Sequence, residues 1–292
     1  MLTGELLAKV RKIEIKTRKL VEEITGGAYH SVFKGRGIEF SEVREYTQDD
    51  DIRDIDWNVT ARMGEPYIKK YAEERELNVM LAVDASASGL FGRGADKREQ
   101  MAEAAALLAF SAIRNNDKVG LLIFTDRTEL YLPPRSGKSH GLRVIRELVA
   151  MEPEHTGTDI GQALDSLARG LKKRSVVFLI SDFLDPKDYE SKLKILSRRH
   201  DVIAFRIQDG AELRLPCPLP GLTVEGLEDG RRFYFDASGR NRLDAYAAAA
   251  GALRDRTCEI CRHAKVDMID ALSDEDLIKP LLRFFQGRRD KR

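Results

Sequence analysis

Cysteine is scarce in this chain, with three in 292 residues. Cys217, Cys258 and Cys261 are too few for a disulfide framework and suggest a reducing compartment. Long apolar runs are also missing: nothing approaches the roughly 20 residues of a membrane helix. The N-terminus, MLTGELLAKVRKIEIKTRKL, alternates charge with apolar residues where a signal peptide has an unbroken apolar stretch. Nor is there a surplus of either charge. Forty-nine Lys and Arg against 48 Asp and Glu leave a net charge of +1, which gives no electrostatic case for nucleic acid as a principal partner. These absences predict a soluble cytoplasmic protein without a membrane span.

Several catalytic and binding motifs are lacking as well. The five histidines are scattered and no HExxH occurs. Gly137-Lys138-Ser139 is a fragment of a phosphate loop, but Leu132 stands where the pattern requires a glycine. The glycines of GLFGRG, 89–94, fall in the wrong order for a dinucleotide fingerprint. Cys258 and Cys261 form a CxxC inside a helical pattern with no second pair, so neither a zinc nor a redox role is expected.

What the chain does have is alternation. Residues 5–24 place Leu6, Val10, Ile13, Thr17, Leu20 and Ile24 along one helical seam, suited to packing on its own domain or on a partner helix. The polar stretch 26–76 reads as irregular or short β structure. From 77 to 292, apolar strands (LNVMLAV, KVGLLIFT, SVVFLIS, DVIAFRI, VDMIDA) alternate with helices, and TELYLP pairs beside KVGLLIFT as a hairpin. Strands apolar on both faces predict an α/β fold, a mostly parallel sheet with helices on both faces. A hairpin excursion interrupts it near 210–240. The expected organisation is therefore an N-terminal helix (1–25), a second block (26–76) packed on the main domain, and that main domain (77–292).

In such sheets, ligands collect at the carboxyl ends of strands. Asp84 stands at one such end, followed at alternate positions by Ser86 and Ser88. Asp182 follows SVVFLIS directly, and Thr158 of HTGTDIGQAL lies in a loop before a helix. These side chains supply only oxygen, and hard cations such as Mg²⁺ take oxygen ligands. Each residue alone also suits a helix cap; together they favour a metal site.

DASAS, the threonine of TGTD and the aspartate of ISDF resemble the metal-ion-dependent adhesion site of von Willebrand factor type A domains, which are Rossmann-like. The resemblance implies that Asp84, Ser86, Ser88, Thr158 and Asp182 hold Mg²⁺, with Mn²⁺ or Ca²⁺ as alternatives, and that a partner's acidic side chain completes the site. Phe183 departs from the glycine that many members have after the aspartate.

The segment GRGIEFSEVREYTQDDDIRDIDWNVTARMGEPYIKKYAEERE resembles the motif block of the bacterial family called domain of unknown function 58, apart from Asp49 where a turn glycine is common. Many relatives carry membrane helices before this block. That resemblance implies a partnership with MoxR-type AAA+ ATPases in maturing or assembling protein complexes.

Residues and resemblance together lead us to expect a non-catalytic, divalent-metal-dependent protein-binding module whose partner is such an ATPase, a client protein, or both. The rival expectation is a Mg²⁺-dependent hydrolase acting on phosphate esters, which needs a general base near the ion. His155 and the run Asp49, Asp50, Asp51, Asp54 and Asp56 are the candidates, although a salt-bridged turn around Arg53 and Arg62 explains that run as well. Trp57 is expected to anchor its segment to the sheet domain.

Overall fold

The structure is a computed structural model that describes residues 38–47, 50–73, 76–92, 97–215 and 219–290. The helix expected over 1–25 lies outside these residues. Chain contacts divide the molecule into two compact units, Phe33–Leu77 and the remainder, Met1–Val32 with Asn78–Arg292.

The smaller unit is built on an antiparallel pair. Strand β1 (Ile38–Glu45) pairs with β2 (Tyr67–Glu73), with a bulge between Phe40 and Glu42. Between them lie a 3₁₀ turn (Ile52–Asp54) and the short helix α1 (Trp57–Met63). The acidic run starts both: Asp51 accepts from the Arg53 N–H, and Asp56 from those of Asn58 and Val59. Such caps satisfy amide donors that have no partner within the helix. Gly64, with φ of 83°, ends α1 in the left-handed conformation that glycine adopts without a Cβ clash. Trp57 is 68% exposed and is not buried within this unit. The seven residues of α1 include none that is buried.

The larger unit follows the predicted alternation. Its strands are β3 (Asn78–Asp84), β4 (Lys118–Phe124), β5 (Thr128–Arg135), β6 (Val176–Ser181), β7 (Asp201–Gln208), the hairpin strands β8 (Leu219–Glu225) and β9 (Arg232–Ala237), and β10 (Asp267–Leu272). Its helices are α2 (Lys97–Arg114), α3 (Lys138–Val149), α4 (Ile160–Gly170), α5 (Glu190–Arg199), α6 (Gly210–Leu213), α7 (Arg240–His263) and α8 (Ile278–Asp290). Six strands form one sheet in the order β10-β7-β6-β3-β4-β5, parallel except for the antiparallel β4–β5 pair. This is the α/β class expected from sequence, a mostly parallel sheet with helices packed on it.

Alternate residues bury opposite faces of the sheet, as the strand period requires. Met80 and Ala82, Leu122 and Phe124, Val177 and Leu179 pack with Leu164 of α4, Leu193 of α5 and Ile260 of α7. Their neighbours Val79, Leu81 and Val83 are equally buried, and α2 packs against β3 and β4. The buried face of α2 is rich in alanine (Ala104, Ala105, Ala109, Ala112), which lets the helix lie close to the sheet. Gly120 of β4 is required by close approach: a Cβ there would sit 2.8 Å from both the Met80 sulfur and the Pro134 nitrogen. Among the described residues the sheet ends on one side at β5, which carries Pro133 and Pro134, and on the other at β10, which carries Asp267 and Asp270.

The chain runs from β3 through α2 to β4 on one side of β3, whereas β6 joins β3 on the other. The reversal opens a crevice between the carboxyl ends of β3 and β6, the place where open α/β sheets bind ligands.

Candidate metal centre

Asp84 is the last residue of β3, Ser181 is the last of β6, and Asp182 comes next. The crevice therefore starts with two carboxylates, both buried. Asp84 accepts from the Ser86 N–H at 2.9 Å and from the Ser181 hydroxyl at 2.6 Å. The Ser86 and Ser88 hydroxyls lie 3.0 Å apart. Thr158, also buried, arrives on the loop before α4, and its hydroxyl donates to Glu228 Oε1 at 2.6 Å. The loop is tied to the β3 turn where the Ala87 N–H donates to the Thr156 carbonyl at 2.8 Å.

Neither capping role that competed for these hydroxyls is realised. Asp159, not Thr158, caps α4, accepting from the Gln162 N–H at 2.8 Å. Ser86 precedes the 3₁₀ turn Ala87–Leu90 and makes no side-chain cap bond. Ser86, Ser88 and Thr158 consequently keep oxygen available at the crevice.

Charge is concentrated here. Burial, helped by the Asp182 charge, raises Asp84 from the ordinary carboxylate range to about 7, against the lowering effect of its bonds to Ser181 and Ser86. Lys97, at the start of α2 and fully buried, donates to Asp182 at 2.8 Å and also to Glu212 of α6. Burial works to lower the Lys97 pKa, but the charges of Asp182 and Glu212 outweigh it and hold the ammonium pKa above its usual value. Burial also raises Glu212, with Lys97 opposing. Glu228 is raised by burial too, while its bond from Thr158 lowers it and the charges of Asp182 and Asp185 raise it further.

Of the residues singled out from sequence, Asp84, Ser86 and Ser88 are linked by hydrogen bonds, Asp182 lies close enough for its charge to raise Asp84, and Thr158 stands on the loop tied to the same turn. The structure adds Glu228, Lys97 and Ser181, which sequence reasoning missed. The donor set fits a hard cation, since every candidate ligand atom is a hydroxyl or carboxylate oxygen. Excess carboxylate charge, with Asp84 pushed toward its neutral form, is what a bound dication would relieve. Among the described residues no three His, Cys, Asp or Glu side chains form a metal-binding group by themselves, so the hydroxyls are indispensable to any ion held here.

Phe183 shows how the departure from glycine is accommodated. It keeps the left-handed conformation, φ of 59°, with a side chain present. Its N–H donates to the Ser181 hydroxyl at 2.9 Å, and its ring is buried in the core cluster. Backbone strain of about 1–3 kcal/mol is offset by burial of the ring, worth roughly 1.5–3 kcal/mol.

The other candidates are engaged in contacts of their own. Asp50 pairs with Arg44 at 2.6 Å and accepts from the Thr47 N–H and hydroxyl, rather than engaging Arg53 or Arg62. Asp49 lies outside the described residues. The His155 N–H donates to Glu129 at 3.2 Å. Cys261 is buried, and burial pushes its thiol up to about 12, so it is poorly suited to redox or metal chemistry. Among the described residues no helix is long and apolar enough to cross a membrane.

Known proteins resemble this chain along most of its length. It is 30% identical over 290 residues to the uncharacterized protein Rv1480 of Mycobacterium tuberculosis, covering 98% of this chain and 90% of that one. A crystal structure of an aerotolerance-related membrane protein from Bacteroides fragilis matches 74% of this chain and 100% of its own, with a TM-score of 0.48 and 19% identity. The conserved hypothetical protein BatB from Bacteroides thetaiotaomicron gives 0.46 and 17%, again over 74% of this chain and 100% of its own. The family model described as "Protein of unknown function DUF58" matches residues 42–256, and the chain belongs to that family.

Proposed function

We propose that this chain is a non-catalytic protein-binding module whose crevice holds a divalent cation, Mg²⁺ foremost, and through it a partner's carboxylate. The observation that supports this reading best is the convergence of Asp84, Ser86, Ser88, Thr158 and Asp182 at the switch point of the sheet, with the Ser86 and Thr158 hydroxyls released from capping. A bound dication would supply a fixed positive charge at which an acidic side chain is recognised. Ser86, Ser88 and Thr158 would orient oxygen toward it. Asp84 would be held in place by Ser181, and Asp182 by Lys97 and the Leu184 N–H. The partner we propose is a MoxR-type AAA+ ATPase, a client protein it remodels, or both, in the maturation or assembly of protein complexes.

The test is affinity capture of a MoxR-type ATPase from the same host, with Mg²⁺ and with chelator, using wild type and Asp84→Ala. Capture that requires Mg²⁺ and is lost in Asp84→Ala is the expected result. Capture indifferent to both would sink the metal-dependent reading. A parallel phosphatase, nuclease and ATPase screen addresses the hydrolase alternative, because metal-dependent turnover abolished by Asp84→Ala would assign catalysis to the crevice instead.

A further inference from the structure

We propose that Glu228 is an internal carboxylate ligand of this centre, holding the place that a partner's acidic side chain must take. The inference rests on the metal-dependent reading above and adds a residue to it. Glu228 lies in the turn between β8 and β9, whose strands pair with each other and not with the six-stranded sheet. Its side chain nevertheless reaches the crevice. Oε1 accepts from the Thr158 hydroxyl at 2.6 Å, and Glu228 lines the same cavity as Ser88. One carboxylate delivered from the same chain thus meets two of the five oxygen-bearing residues at the crevice.

The turn is built to present that residue. The Gly226 N–H donates to the Arg231 carbonyl at 2.8 Å, the Gly230 N–H to the Gly226 carbonyl at 2.9 Å, and Asp229 accepts from the Arg231 N–H at 3.0 Å. Thr156 fixes the main chain, its hydroxyl donating to the Glu228 carbonyl at 2.9 Å. The loop before α4 therefore grips Glu228 by side chain and backbone at once. Gly230, with φ of 66°, closes the turn in a conformation that disfavours a side chain.

The rest of the hairpin meets α7 through Phe235, whose ring lies edge-on to Tyr246, and through the buried Ala237. Leu222, Leu227, Phe233 and Tyr234 are exposed, and Tyr234 keeps 74% of its surface. A cavity of about 600 Å³ adjoins the turn, lined by Ser88, Phe183, Tyr189, Leu227, Glu228 and Phe233 among others. A two-stranded hairpin is only marginally stable by itself, so its position depends on what β9 and the turn contact. Glu228 is the side chain that ties it to the crevice, and an ion there would strengthen the tie. A partner would then engage the ion only by exchanging its own carboxylate for that of Glu228.

Mn²⁺ alone is a sufficient probe. Its affinity is measured by EPR for wild type, Glu228→Gln and Asp84→Asn, and amide exchange across 219–237 is followed with and without the ion. Glu228→Gln, a partly exposed turn substitution, should weaken Mn²⁺ binding by about tenfold. In wild type Mn²⁺ should slow exchange in the hairpin, and in Glu228→Gln that protection should disappear. Wild-type affinity in Glu228→Gln, or hairpin exchange unmoved by Mn²⁺ in wild type, would overturn the internal ligand. If Asp84→Asn still loses the ion in that case, the metal centre stands without Glu228. Equal Mn²⁺ binding by wild type and Asp84→Asn would remove the centre, and the internal ligand with it.

Discussion

Two regions of this molecule are rich in carboxylates, and they use them in opposite ways. The run 50–56 is the denser in sequence, yet its aspartates serve their own backbone and close neighbours. Asp50 is fixed by Thr47 and Arg44, Asp51 caps a 3₁₀ turn, and Asp56 caps α1. Hydrogen bonds from the Thr47 side chain and backbone, with Arg44, lower Asp50 to about 2. Asp84 and Asp182 are 98 positions apart in sequence, but the ends of β3 and β6 bring them together and bury both. There burial and mutual repulsion push Asp84 up to about 7. A carboxylate whose donors are local is stable as an anion without help, whereas one buried beside another needs a cation.

The widest contrast to test is in titration. Carboxyl NMR of chelator-treated protein should place Asp84 near 7 and Asp50 near 2. The consequences for stability have opposite signs. Asp84 binds its proton more tightly folded than unfolded, so its contribution favours folding at low pH and is lost between about pH 4 and pH 7. Asp50 is depressed, so its contribution is present above about pH 4 and is lost as pH falls toward 2. Midpoints in the ordinary carboxylate range for both residues would erase the comparison.

Next in size is the buried cation. Lys97→Met should cost about 3–5 kcal/mol in urea unfolding because it strands buried carboxylates, while Arg44→Met should cost under about 1 kcal/mol. Similar losses for the two would mean that burial is not what separates the regions. For Mg²⁺ titrated by calorimetry, Asp84→Asn should lose on the order of a hundredfold in affinity and Asp50→Asn nothing; the reverse order would move the ion to the other region. The smallest effects should be matched ones. Asp56→Ala and Asp159→Ala each remove a helix cap, one in each unit, and each should cost about 1 kcal/mol of thermal stability.

Much of this was legible from sequence because it depends on local composition. Apolar runs such as Val176–Ile180 read as strands buried on both faces, and the alanine-rich face of 97–114 reads as a helix lying against them. Aspartate and hydroxyl residues at strand ends were recognisable by donor type. The contacts that were not legible span long separations. Glu228 meets Thr158 across 70 positions and Lys97 meets Asp182 across 85, with no local pattern to mark either. Which residue caps α4 was not legible for a different reason: Thr158 and Asp159 are both good cap residues, and the structure has Asp159 in that role. Phe183 is harder still, since a left-handed phenylalanine exists only because its ring has a core to enter.

The borders of the main sheet have a consequence of their own. At β5, Pro133 and Pro134 offer no amide hydrogens where an incoming chain would seek them, and a bulge twists that strand. At β10, Asp267 and Asp270 are engaged by Arg288 and Arg206 and put charge along the opposite border. Neither side is a template for fibrous growth, so crowded copies of this protein should resist amyloid-like stacking through the sheet.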